Sequence, residues 1–166
     1  MNSGPATSKK FNTSASLKRA KKTQSTQASW KLDLEGKGYR WTNTLERIEI
    51  SRAGISFTAI DVLSQRMEVP IKEVLHIFGL AQTTYNKKRR EKALLNGRDS
   101  EMALLLTELI DFGWEVFNQE KDKFQRWMKK SNISLGGNSP EMLLDSVTGI
   151  QEVKNCLNRL ETGNFA

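Results

Sequence analysis

The chain has 166 residues, with 26 Lys and Arg against 19 Asp and Glu and a formal net charge of +7. That length admits one compact unit or two small helical ones, either able to bury a real core. A single cysteine, Cys156, excludes an intramolecular disulfide, and no apolar run approaches the roughly 18 residues that would span a bilayer.

The charge is unevenly spread. Residues 1–30 carry Lys9, Lys10, Lys18, Arg19, Lys21 and Lys22 with no acid, which leaves +1 for residues 31–166. Residues 1–28 hold hardly a bulky apolar side chain, so they cannot bury enough surface to offset the entropy of ordering, and a disordered basic arm is expected there. Such an arm adds non-specific phosphate contacts or serves as a solubilising tail. It lacks the apolar h-region of a secretory signal, so the chain reads as cytoplasmic. Residues 29–42 read as a linker, because Gly36 and Gly38 speak against a long helix between Trp30 and Trp41.

Helical signals become regular from Asn43, which with Glu46 makes an N-terminus for a helix whose Leu45, Ile48 and Ile50 face inward until Gly54 stops it. Ser56 caps a second helix to Met67, with Phe57, Ile60, Val62 and Leu63 as its apolar stripe. Pro70 starts a third through Val74, Leu75 and Phe78, and Gly79-Leu80-Ala81 makes a short turn into a polar, basic helix. Helix, glycine turn and basic helix together have the order of a helix-turn-helix, with a domain expected over 43–97.

In that last helix Gln82, Thr83, Tyr85 and Asn86 are side chains suited to base edges or phosphates, and Lys87, Lys88, Arg89 and Arg90 supply the electrostatic part. Each helical residue advances about 100°, so four consecutive cations fan over about 300° and only about two can meet one DNA backbone. The bland alternative is a solvated helix end whose cations sit favourably at the C-terminal dipole.

Residues 98–166 read as a second helical domain. A long helix from Ser100 carries Met102, Leu105, Leu106, Leu109, Ile110, Gly113, Trp114 and Phe117 at helical spacing, and a shorter one carries Phe124 and Trp127. These aromatics are core or part of a dimer interface. Then come the Gly136-Gly137 turn and Ser139-Pro140, read as cap and first residue of a helix containing Met142, Leu143, Leu144 and Val147. Gly149 breaks that run. Thr148 and Gln151 have capping-box spacing for a last helix, and Gly163 suits its C-terminal cap. The strand pattern appears nowhere, and the fold class is all-α.

Catalysis finds no support in the linear order. His76, the only histidine, lies among Val74, Leu75, Ile77 and Phe78, where a packed or edge position is expected, and Cys156 reads as a buried inert thiol. Neither a metal-ligand cluster nor a phosphate-cradling loop is recognisable, so no cofactor or metal is implied and the chain reads as a non-enzyme.

Trp127, Leu135-Gly136-Gly137, Ser139-Pro140, Leu143-Leu144, Gly149, Val153, Leu157 and Arg159-Leu160-Glu161-x-Gly163 resemble the C-terminal toxin-binding domain of Xre-type bacterial antitoxins, the group of the MbcA and ParS proteins. The resemblance covers roughly residues 43–166. It implies an antitoxin of a type II toxin–antitoxin system, forming homodimers, repressing its own operon and silencing a toxin, most often of the RES type that consumes NAD. It also implies that Gly136, Gly137, Asn138, Ser139, Arg159, Glu161 and Gly163 meet the toxin, with Asn164 and Phe165 near its active-site entrance and Phe165 as an apolar anchor. The rival reading is a helix-turn-helix transcriptional regulator whose C-terminal half only dimerises.

Overall fold

The computed structural model describes residues 29–163. Residues 1–28, expected as a basic arm, and Asn164 and Phe165 lie outside the described residues. Helices dominate, as the periodicity predicts, but residues 30–41 form a β-hairpin, β1 (Trp30–Leu34) with β2 (Lys37–Trp41). The expected linker is thus corrected to a paired element. Trp30 pairs with Trp41, Leu32 with Tyr39 and Leu34 with Lys37 across a two-residue Glu35-Gly36 turn, where Gly36 has φ 79°. Leu32, Leu34, Tyr39 and Trp41 all point to the core, a two-residue alternation that burial of one sheet face requires.

Helices α1 (Thr44–Ala53) and α2 (Thr58–Met67) follow. Asn43 caps α1 by accepting the Glu46 N–H at 3.0 Å, and the Glu46 carboxylate accepts the Thr42 N–H at 2.6 Å. Leu45, expected inside, is 72% exposed. The inward stripe of α1 runs through Arg47, Ile50 and Ser51, and Leu45 is rotated about 200° from Arg47. Ser56, expected as the cap of α2, stands one residue further out: Phe57 holds the cap position without a side-chain bond, and Ser56 Oγ accepts the Thr58 N–H at 3.2 Å.

Helix α3 (Ile71–Ile77), a turn with Gly79 at φ 63°, and α4 (Gln82–Arg90) form the helix-turn-helix. Helix α5 (Gly97–Val116) starts three residues before Ser100 because Asn96 caps it through the Asp99 N–H. It is buried along most of its length and packs on α1, α2, β1 and the last helix, so it is the axis of one continuous core.

Helix α6 (Lys121–Lys129) lays Phe124 against Gly113 of α5, and Phe117, Phe124 and Trp127 cluster with ring centres 5.8–6.2 Å apart. Two 3-10 turns, Ile133–Leu135 and Pro140–Leu143, lead to α7 (Val147–Glu161). Three local expectations are corrected here. The Pro140 segment is a 3-10 turn and not an α-helix. Gly149 lies inside α7 and does not break it. Ser146, not Thr148, is the cap, accepting the Gly149 N–H at 3.1 Å. Gly163 does close α7, with φ 69°.

Candidate functional site

Two surfaces hold the residues singled out from sequence. On α4, Tyr85 is the exception to the expected exposure: it is buried, with its hydroxyl donating to Asp61 Oδ1 of α2 at 2.6 Å. Burial first, and the adjacent carboxylate second, push its phenol pKa upward. Tyr85 therefore holds α4 against α2 and is not a base-reading residue. Arg89 is drawn to the same carboxylate, Nε to Asp61 Oδ2 at 2.9 Å, and Lys88 faces Glu91 at 3.7 Å.

Fixing Tyr85 inward decides which side of α4 faces out. At 100° per residue, Thr83, Asn86, Lys87 and Arg90 occupy the opposite side, with Gln82 at its edge donating to Asn86 Oδ1 at 3.1 Å. Lys87 and Arg90 form no ion pair among the described residues, Arg90 Nε donating only to the Asn86 carbonyl at 3.4 Å, so two cations of the four face outward without a carboxylate partner.

The second surface is the loop between α6 and Pro140. Asn132 organises it: its Oδ1 accepts the Ser134 N–H at 2.9 Å, its carbonyl accepts from Leu135 and Gly137, and its N–H donates to the Asn138 carbonyl at 3.0 Å. Ser131 Oγ donates to the Gly137 carbonyl, and Asn138 Nδ2 to the Leu135 carbonyl at 3.0 Å. The Asn132 amide also donates to Cys156 Sγ at 3.4 Å, fastening the loop to α7, and Cys156 is buried as expected.

Gly136 and Gly137 have φ 65° and 83°, and a Cβ at Gly137 would meet nothing within 4 Å. Their requirement is conformational, not steric. Replacing Gly136 by alanine is expected to lower stability by about 1–2 kcal/mol, and by asparagine less, since asparagine tolerates the left-handed region; urea midpoints measure the difference.

Gly136, Gly137 and Asn138 are exposed, but Ser139 is buried and is corrected from a presented residue to a structural one. The reason is local: Pro140 packs into the core next to it and draws Ser139 inward. On α7, Arg159 is half-buried and Glu161 and Gly163 are exposed.

Comparison with known proteins matches the two segments that carry these surfaces. The model for an antitoxin Xre-like helix-turn-helix domain covers residues 46–108, and the model for an antitoxin Xre/MbcA/ParS C-terminal toxin-binding domain covers residues 114–163. The chain belongs to the Xre antitoxin family. It is similar to an antitoxin Xre of Photorhabdus laumondii, 27% identical over 114 residues, which is 69% of this chain and 77% of that protein. An antitoxin Xre of Yersinia enterocolitica serotype O:8 is 27% identical over 72% of this chain and 80% of its own length. A Prs ADP-ribosylating antitoxin of a Sphingobium species is 26% identical over 74% of this chain and 82% of its own length.

Two features of this antitoxin escaped the sequence reading. Glu108 of α5 is 1% exposed, yet its carboxylate accepts from Trp41 Nε1 at 2.8 Å, Arg47 Nη1 at 2.7 Å and Lys154 Nζ at 2.9 Å. Hairpin, α1 and α7 thus converge on one carboxylate, which sets how α7 lies on the body. A lone acid in the apolar face Leu104–Ile110 was the available signal. The other is Ile133, 96% exposed at the start of the glycine loop. His76, expected packed or at an edge, is exposed on α3. Among the described residues no helix is long and apolar enough to cross a membrane.

Proposed function

We propose that this antitoxin silences a cognate toxin sterically, through a face made by the Ser131–Asn138 loop and the C-terminal end of α7. It does so in the cytoplasm and without chemistry of its own. The observation that carries this reading is the loop itself. Its hydrogen bonds make a rigid projection of exposed Gly136, Gly137 and Asn138, tied to α7 within the segment that matches a toxin-binding domain. Arg159, Glu161 and Gly163 extend the face, and Asn164 and Phe165, next in the sequence, are proposed as further toxin contacts. A preformed projection binds without paying an ordering cost.

The toxin in this reading is a RES-type, NAD-consuming enzyme. That class is what the resemblance of the C-terminal segment to the Xre/MbcA/ParS toxin-binding domain implies, and the Sphingobium relative carries ADP-ribosylation, a chemistry that draws on NAD, in its name. Co-expression with the product of the adjacent gene tests it: the two proteins co-purify and growth is restored. Separate elution with unrelieved toxicity ends the proposal.

Operator binding belongs to the outward side of α4, with residues 43–97 reading DNA, residues 98–166 reading the toxin, and a homodimer presenting two such helices to paired half-sites. Lys87→Ala and Arg90→Ala are each expected to weaken operator binding and to reduce the slope of log affinity against log salt by about one. Arg89→Ala instead loosens α4 from Asp61, so it lowers the melting temperature with a smaller change of slope. A mobility-shift titration at several salt concentrations separates these outcomes.

A further inference from the structure

Ile133 lies at the opening of the Ile133–Leu135 turn and is 96% exposed, against 72%, 65%, 56% and 37% for the other exposed large apolar side chains, Leu45, Met142, Leu94 and Val147. Scattered exposed apolar residues are ordinary on a protein surface. What distinguishes Ile133 is its mounting. The backbone on both sides is fixed: Asn132 caps the turn, the Ile133 carbonyl accepts the Gly136 N–H at 3.0 Å, and the glycines close the loop with left-handed backbone. The Ser131, Asn132 and Asn138 side chains are all consumed in holding the loop and its seat on α7. An isoleucine is stiff at χ1. A stiff apolar side chain on a locked backbone loses little entropy when it enters a recess. Of the loop's two large apolar side chains, Leu135 is buried and Ile133 turns out, beside polar groups already engaged in the loop's own hydrogen bonds.

We infer that Ile133 is the apolar anchor by which this antitoxin seats on its toxin, entering a recess of about one branched aliphatic side chain beside the toxin's substrate entrance. The inference rests on the toxin-blocking reading above and names the residue that fixes its register. The occupant is the toxin and not a second copy of this chain, because Ile133 shares its loop with Gly136, Gly137 and Asn138, inside the segment matched by the toxin-binding model. It places the decisive apolar contact on the loop, ahead of the C-terminal residues.

The test compares the full chain with Ile133→Val, Ile133→Ser and Ile133→Asp, measuring calorimetric affinity for a catalytically disabled form of the adjacent-gene toxin and the melting temperature of the free chain. Ile133→Ser is expected to bind about 30-fold more weakly, since burying an isoleucine is worth about 2 kcal/mol and 1.4 kcal/mol is one factor of ten. Ile133→Asp loses more, Ile133→Val stays within about threefold, and all melt with the parent chain. Unchanged affinity of Ile133→Asp beside a parent chain that binds overturns the anchor and leaves the blocking reading standing. A parent chain that fails to bind removes both. A melting temperature lowered by more than about 5 °C overturns the anchor by showing that Ile133 packs on its own chain, and loss of self-association with unaltered toxin affinity overturns it in favour of a dimer contact.

Discussion

Replacing Gly149 by alanine is expected to destabilise this antitoxin by about 3 kcal/mol or more and to lower its melting temperature by roughly 10 °C. A Cβ at Gly149 would stand 1.9 Å from the Leu143 carbonyl oxygen and 2.9 Å from its carbon. These are backbone atoms, so no side-chain rotation relieves the clash and either α7 or the Pro140–Leu143 turn must move. Backbone dihedrals are not the obstacle, because Gly149 lies within regular helix and alanine would gain about 1 kcal/mol of helix propensity there. Steric overlap exceeds that gain. The shift also re-aims the helix that carries Arg159 and Glu161, so, on their proposed role, toxin neutralisation is expected to fall with stability. Thermal melting, with growth rescue at low temperature, measures both effects. A Gly149→Ala protein that melts with the parent would mean that the first turn of α7 does not lie on Leu143. Gly113→Ala makes the milder comparison: its Cβ would meet the Phe124 ring at 2.3 Å, and a side chain yields more readily than a carbonyl.

The same glycine shows how far sequence carried the fold and where it stopped. From the residue order, Gly149 reads as a break between two helices, because an absent side chain inside an apolar run lowers helix propensity. In the structure the absence serves close approach of two segments, a tertiary fact with no local signature. The hairpin was missed for the opposite reason. Its alternation of Leu32, Leu34, Tyr39 and Trp41 around Glu35-Gly36 is local, but two glycines in twelve residues mask it, since glycine is depleted in strands as well as in helices. Helices α1 to α6 are legible from short-range signals, the Asn43 cap of α1, the apolar stripes of α2, α3, α5 and α6 and the glycine turn before α4, and a resemblance in glycine and Ser-Pro spacing located the family. On α4 the choice of facing was illegible. Eight polar side chains look alike until Asp61, 24 residues upstream of Tyr85, claims the tyrosine and turns Lys87 and Arg90 outward. Ser139 was misplaced because Pro140 carries it into the core, and Ile133 was overlooked because an isoleucine after Asn132 looks like core until its exposure is known.

Removing the Glu108 carboxylate is expected to have an effect of similar size, and one that depends on pH. Burial pushes the acid's pKa up, but the Lys154 ammonium, the Trp41 indole N–H and the Arg47 guanidinium outweigh it and hold the carboxyl below its ordinary value near 4.5. Glu108→Ala leaves Arg47 and Lys154 facing an empty, largely buried position and is expected to cost about 3–5 kcal/mol, because an unpaired buried charge is more costly than the pair was favourable. Since the folded-state pKa lies below the unfolded one, the carboxylate's contribution is complete above the unfolded value and is lost as pH falls through the folded value. Urea midpoints of the parent chain should therefore hold steady between about pH 7 and 5 and drop on further acidification, while Glu108→Gln starts lower at pH 7 and falls less steeply in acid. The carboxylate also joins α7, through Lys154, to the hairpin and α1, so Glu108→Gln is expected to weaken toxin binding even where the protein is fully folded. Parallel acid profiles for the two proteins would show that the three donors stabilise Glu108 by shape alone, and that the aim of α7 is set elsewhere.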